Sequence, residues 1–296
     1  MENRSMSSTP STSITKSPSD LTITPRDRRF GRNKAQDRWW LGGDPIATAF
    51  YNALSVTFPR GEAFFIESVR AFRDDAPPKL AGEISAFIKQ EVMHGREHIA
   101  FNKRVVDAGY NIEALDQSVT ETLALTKDKP EILKLAVTMA LEHYTAIIAQ
   151  KLVAEDVHLA KADSESRDLW RWHAIEEIEH KGVAYDTWLH ATRDWSRLKR
   201  WGVKNLMMLI VTGRFWPRRY KGMLDLLRQD GLTGVKVHAR ILWFMFGTPG
   251  IVRRLVPQWL TFFRPGFYPW NHDDRDLIKL VESDYADAVM SQSLAA

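Results

Sequence analysis

The sequence predicts an all-α fold, and three observations carry that prediction. From Asp44 onward apolar residues recur at helical spacing, and no run shows sustained strand alternation. Through the first two thirds, Pro45, Pro59, Pro77-Pro78, Gly109 and Pro130 stand where one apolar stretch gives way to the next. Four of those stretches each hold a glutamate or a Glu-x-x-His among apolar neighbours, the pattern of helices that share a polar centre.

The elements follow in order. Residues 1–26, rich in Ser, Thr and Pro, read as a disordered tail, because they offer too little apolar surface to offset the entropy of ordering. They lack the apolar run of a signal peptide, so a cytoplasmic location is expected. Asp44-Pro45 caps and opens a helix that runs to about Phe58. Pro59 opens the next, to about Phe72. A long helix from Lys79 to Ala108 stops at Gly109, and residues 110–129 leave room for one short helix. Pro130 starts another long apolar helix. Asp163 or Ser164 caps a further one, expected to run to about Arg193. Residues 27–195 therefore form the expected bundle, and 196–296 a C-terminal helical extension.

Composition narrows the chemistry. The 296 residues include no cysteine, which excludes disulfides, thiolate metal sites and cysteine nucleophiles. A metal would have to be held by Asp, Glu or His, which favours iron, manganese or zinc. A net charge of +4 is too weak a bias to point to nucleic acid.

The helical repeat sorts the polar residues. In WHAIEEIEHK (172–181), His173, Glu177 and His180 share one stripe, Glu176 lies beside it, and Glu179 points away. In QEVMHGREHIAF (90–101), Glu91, His94 and His98 share a stripe and Glu97 falls off it. One Glu-x-x-His is weak evidence; two on separate long helices are stronger. Glu142 stands in a segment so apolar that an unpaired carboxylate would cost several kcal/mol. Its alternatives are an ion pair with a buried Arg or a lone outward-facing acid. Glu62 sits in FPRGEAFFI, where an acid near a helix start could equally favour the helix dipole at the surface.

Glu62, Glu91-x-x-His94, Glu142 and Glu177-x-x-His180 together form the ligand set of a ferritin-like di-iron carboxylate four-helix bundle. Four carboxylates neutralise two divalent ions, here iron, with manganese or zinc as alternatives. His98, His173, Glu176 and His143 remain as additional ligands or as hydrogen-bond partners behind the ligands, the latter preferred for His143.

The C-terminal third carries the apolar runs 206–211, 241–246 and 259–263 between basic clusters. None reaches the roughly 20 residues that span a bilayer. Core packing is the expected use; a peripheral contact with the inner membrane face is the alternative.

Four segments, YNALSVTFPRGEAFF (51–65), FIKQEVMHGREHIAFN (87–102), ALEHYTAIIAQ (140–150) and WRWHAIEEIEHKGVAYD (170–186), resemble a bacterial family described as predicted metal-dependent hydrolases. The resemblance covers about residues 28–280 and implies a bound metal and hydrolysis. The ligand pattern resembles that of ferritin-like di-iron proteins, whose usual chemistry is oxidative; with the apolar C-terminal third it leads to the expectation of O2-dependent oxidation of an apolar small molecule. A separate electron donor would then be needed, because the chain has no G-x-G-x-x-G fingerprint. The hydrolytic alternative would use a metal-bound hydroxide, since no G-x-S-x-G nucleophile motif appears. A non-enzymatic metal-binding or membrane-surface protein is a third reading.

Overall fold

The structure, a computed structural model, describes residues 17–32 and 34–294, with the backbone alone for 287–294. Among the described residues the fold is all-α; one isolated bridge, Leu41 to Ala162, is its only β pairing. The helices are α1 (Pro45–Ser55), α2 (Phe58–Arg70), α3 (Pro78–Asp107), α4 (Glu113–Ala124), α5 (Glu131–Ala154), α6 (Ser164–His180), α7 (Val183–Ala191), α8 (Arg197–Gln229), α9 (Val235–Phe246), α10 (Ile251–Thr261) and α11 (Arg275–Leu294).

Local sequence accounts for most boundaries. Asp44 caps α1 by accepting from the Ile46 and Ala47 amides, an interaction that contributes about 1 kcal/mol, and Pro45 takes the first turn. Asp163 caps α6 through the Ser166 amide. Gly109 closes α3 at φ 94°, where a side chain would be strained and would also meet the Arg38 guanidinium at 2.8 Å. The helix expected to run unbroken to Arg193 instead divides after His180. There Lys181 turns to Asp274, 2.6 Å away, and Trp270 lies so close to Gly182 that a Cβ would stand 3.0 Å from its Nε1.

Helices α2, α3, α6 and α5 form a closed four-helix bundle. Each packs on two of the others: α2 on α3 and α5, α6 on α5 and α3. The long connection between α3 and α5 holds α4, as its length predicts. Every residue of α1 is buried, because α2, α3, α8 and α9 all pack against it. Helix α5 is long and apolar enough to cross a membrane, yet most of its apolar window is buried inside this fold.

Part of the segment expected to be a tail, 1–26, is ordered. Residues 1–16 lie outside the described residues, but 17–26 run along the bundle. Leu21 and Ile23 pack against the core, and the Thr24 and Arg26 amides donate to Glu179 and Glu176. Low average hydrophobicity concealed a segment held mainly by polar partners.

The apolar runs of the C-terminal third divide between two uses. Met208, Val211, Ile241, Phe244 and Phe262 are buried against the bundle, while Leu206, Leu209, Leu242, Trp243, Phe246 and Leu260 are exposed.

Candidate metal centre

The four core helices bring Glu62, Glu91, His94, Glu142, Glu177 and His180 to one buried place, each at most 3% exposed. His180 Nε2 lies 3.2 Å from Glu91 Oε1, 3.5 Å from Glu142 Oε2 and 3.5 Å from Glu177 Oε2. His94 Nδ1 lies 3.9 Å from Glu91 Oε1 and 3.8 Å from Glu177 Oε1. His173 joins them, with Nε2 2.8 Å from Glu177 Oε1 and 3.8 Å from Glu62 Oε1. Two donor groups close enough to hold an ion each emerge: Glu62, His94 and His173; and Glu91, Glu177 and His180. Glu142 adjoins the second through His180.

Hydrogen bonds behind the histidines fix which nitrogen faces inward. Gln90 spends its amide N–H groups on Glu179 and the Thr24 carbonyl, so its oxygen accepts from His180 Nδ1 at 2.9 Å. His180 Nε2 is then a bare lone pair. Ser55 donates to Asn102 at 2.7 Å and therefore accepts from His98 Nδ1 at 2.8 Å. His98 Nε2 in turn accepts from His173 Nδ1 at 2.7 Å, which leaves His173 Nε2 bare toward Glu62 and Glu177. His94 Nε2 faces Glu176 at 3.0 Å, and its Nδ1 has no partner. All three rings thus direct an unprotonated nitrogen at the carboxylates, the tautomer a metal ligand needs.

The carboxylates lack partners of their own. Both oxygens of Glu62, Glu91 and Glu142 and one of Glu177 are buried with no hydrogen bond. Burial raises the pKa of Glu62, Glu91 and Glu142 well above the usual carboxylate range, and each is raised further by its acidic neighbours. Burial also pushes His94 and His98 well below the usual histidine value. An unpaired buried carboxylate costs several kcal/mol, so three side by side must either take up protons or share a cation. Oxygen and imidazole donors with no thiolate suit iron, manganese or zinc. Gly95 on α3 makes room for this arrangement: a Cβ there would stand 3.2 Å from Glu62 Oε2.

The remaining candidates fall into three places. His173 is an inward donor, and His98 stands behind it. Glu176 accepts from the Arg26 amide and faces His94; burial raises its pKa to about 7 against the pull of Arg26. His143 is turned away from the cluster, 4.9 Å from the Phe262 ring, and burial depresses it to about 3. Glu179 does leave the stripe, but it is buried rather than solvated, because Arg26 covers it at 2.5 Å. Glu97 is buried likewise, paired with Arg32 and Arg96. Sequence reasoning missed Arg26, Gln90, Ser55 and Asn102. Asn102 lies one turn from His98 and Gln90 beside Glu91, but nothing in the local pattern marks Arg26.

Beside the cluster lies a cavity of about 330 Å³, lined by α2, α4, α5, α6 and α8. Glu62, His173 and Glu177 form part of its wall, with Phe58, Leu141 and Trp170 around them. Helix α8 supplies Met207, Ile210 and Phe215 from the opposite side.

An all-α bundle with a buried cluster of carboxylates and imidazoles defines a metal-binding protein. The chain belongs to the family described as predicted metal-dependent hydrolases, whose model matches residues 24–273. No curated protein and no solved structure matches it.

Proposed function

We propose that the chain is a dinuclear metal enzyme that hydrolyses an apolar small molecule held in the cavity beside the cluster. The observation that carries this reading is the convergence of unpartnered donors from four helices in one cluster, of which Glu62 and Glu177 reach the wall of that cavity. Membership of the hydrolase family favours hydrolysis as the reaction. Glu62, Glu91, Glu142, Glu177, His94, His173 and His180 would hold two divalent ions, whose chemistry is to acidify a water and polarise a substrate oxygen. The chain's own residues do the rest. Gln90, His98 and Glu176 hold the three ligand rings in their tautomers. Phe58 and Trp170 keep bulk water from the cluster, and the apolar wall orients the substrate.

One observation favours a second reading, O2-dependent oxidation. Around Glu62, His173 and Glu177 the wall is Phe58, Phe65, Leu141, Trp170 and Ala174, with no general acid outside the donors to protonate a leaving group. A substrate there presents carbon–hydrogen bonds, and a separate electron donor would be required. Metal analysis, followed by anaerobic reduction and admission of O2, separates the two. Zinc or manganese with esterase activity supports hydrolysis; two irons per chain with oxygen uptake supports oxidation. Glu142→Ala tests both, because unchanged metal content would overturn the shared site.

The surface of α8, α9 and α10 we propose to rest on an anionic membrane. Residues 196–264 carry fourteen Lys and Arg against two Asp, interleaved with exposed Leu206, Leu209, Trp243 and Phe246.

A further inference from the structure

Apart from the two metal-facing glutamates, every charged side chain that lines the cavity is cationic: Lys129, Arg214, Arg218 and Arg219. Arg219 differs from the other three. It is only 7% exposed, and no acidic side chain among the described residues pairs with it. Its Nη1 donates to the Ala53 carbonyl and, at 3.4 Å, to Thr57 Oγ1, while its Nε is buried with no partner at all. Burial with no countercharge, beside Arg218, lowers its pKa to about 9. A desolvated, uncompensated guanidinium is costly, and a planar anion is the group that best satisfies its fork of donors.

The surroundings extend the point. A second pocket of about 320 Å³ adjoins the cavity, shares Val119, Arg218 and Arg219 with it, and adds Lys221, Arg228 and a single acid, Asp225. Arg219 therefore stands at the junction of an apolar chamber and a basic one. Its anchor Thr57 lies five residues before Glu62, about 7.5 Å along the axis of α2. A head group at Arg219 would place the attached chain, several bonds further on, against the metal-facing wall.

We propose that the cavity takes an amphiphile, an alkyl or acyl chain ending in a carboxylate, with the head group on Arg219 and the chain lying toward Glu62, His173 and Glu177. The proposal rests on the reading that this cavity is the substrate site, but not on the presence or identity of the metals. Arg219 is a binding and specificity residue in this scheme and takes no part in the chemical step.

The test is binding to the metal-chelated full chain, so that failure of the metal assignment cannot be mistaken for failure of this one. Calorimetric titration with dodecanoate, dodecanol and dodecyl phosphate reads the head-group preference of the unaltered protein. Dodecanoate is expected to bind at least tenfold more tightly than dodecanol; equal affinity for the two overturns the proposal, and a preference for the phosphate overturns the carboxylate assignment. Arg219→Met is expected to abolish the preference and Arg219→Lys to keep part of it. A folded Arg219→Met variant that still prefers dodecanoate overturns the role of Arg219. If that variant does not fold, the comparison on the unaltered protein and on Arg219→Lys still decides. Val119→Trp, which fills the junction from the half-buried face of α4, is expected to abolish binding of all three; unchanged binding would place the ligand elsewhere.

Discussion

Arg26 holds Glu179 in a buried ion pair, with Nη2 2.5 Å from Oε1, although 153 residues separate them in sequence. Through Gln90, which donates to Glu179 at 2.9 Å and accepts from His180, this pair bears on the orientation of a candidate metal ligand. The Arg26 amide and guanidinium also meet Glu176, which faces His94. One residue of the N-terminal segment thus stands behind two of the three inward rings. Removing it leaves two buried carboxylates uncompensated, so Arg26→Met is expected to cost about 3–5 kcal/mol of stability. It should also weaken metal binding roughly 10- to 100-fold. Chemical denaturation and metal titration check these separately, and unchanged metal affinity in a folded variant would break the link to the rings.

Gln90→Leu isolates one ring. It removes the acceptor for His180 Nδ1 without touching a proposed ligand. A metal affinity lowered roughly 10- to 100-fold is expected, with the loss falling mainly on one of two ions. Titration should show two unequal binding steps where the parent shows closer ones; an unaltered pair of steps would refute the tautomer assignment.

Metal removal should destabilise the chain, because the raised pKa values of Glu62, Glu91 and Glu142 reflect carboxylates crowded without a cation. At an ion concentration of 100 times Kd, one binding step contributes about 2.7 kcal/mol. For a domain of this size that corresponds to a melting shift of about 5–10 °C. Scanning calorimetry with and without chelator measures it. Glu142→Gln is expected to abolish most of the shift.

Lys204 gives a pH dependence away from the cluster. Its Nζ donates to the Phe262 carbonyl and lies 4.3 Å from the Phe262 ring centre, and burial lowers its pKa to about 8. The unfolded chain, with a lysine pKa near 10.4, binds more protons than the native one between those values. Stability therefore rises from about pH 8 to about pH 10.5 and is flat in this respect below pH 8. Lys204→Met should flatten that rise, a difference on the order of 2 kcal/mol that denaturation at pH 7.5 and 10.5 would read.

Charge sets the expected membrane behaviour. The chain should sediment with phosphatidylglycerol vesicles at low salt, bind neutral vesicles far less, and release as ionic strength rises. Trp243→Ser should weaken the contact without altering metal content, since Trp243 is 65% exposed and far along the chain from the ligands. Equal binding to neutral vesicles, or to duplex DNA, would count against an anionic-lipid surface.

Helical periodicity is local, so the sequence alone showed the bundle helices and the stripe on which each polar residue lies, though not the break after His180. The carboxylate set was legible too, because Glu142 and Glu62 sit among apolar neighbours and Glu91 and Glu177 each stand three residues before a histidine. Tertiary structure alone decided the rest. His173 became an inward donor because Ser55 and Asn102, on α1 and α3, settle the hydrogen of His98 and so that of His173. Glu179, off the ligand stripe, is buried because Arg26 arrives from a segment whose composition reads as disorder. Arg219 lies in an apolar wall only because α8 folds back over α1 and α5. Such pairings join residues far apart in the chain, and their energies depend on desolvation and on the position of individual hydrogens. Neither leaves a period or a spacing that a sequence can show.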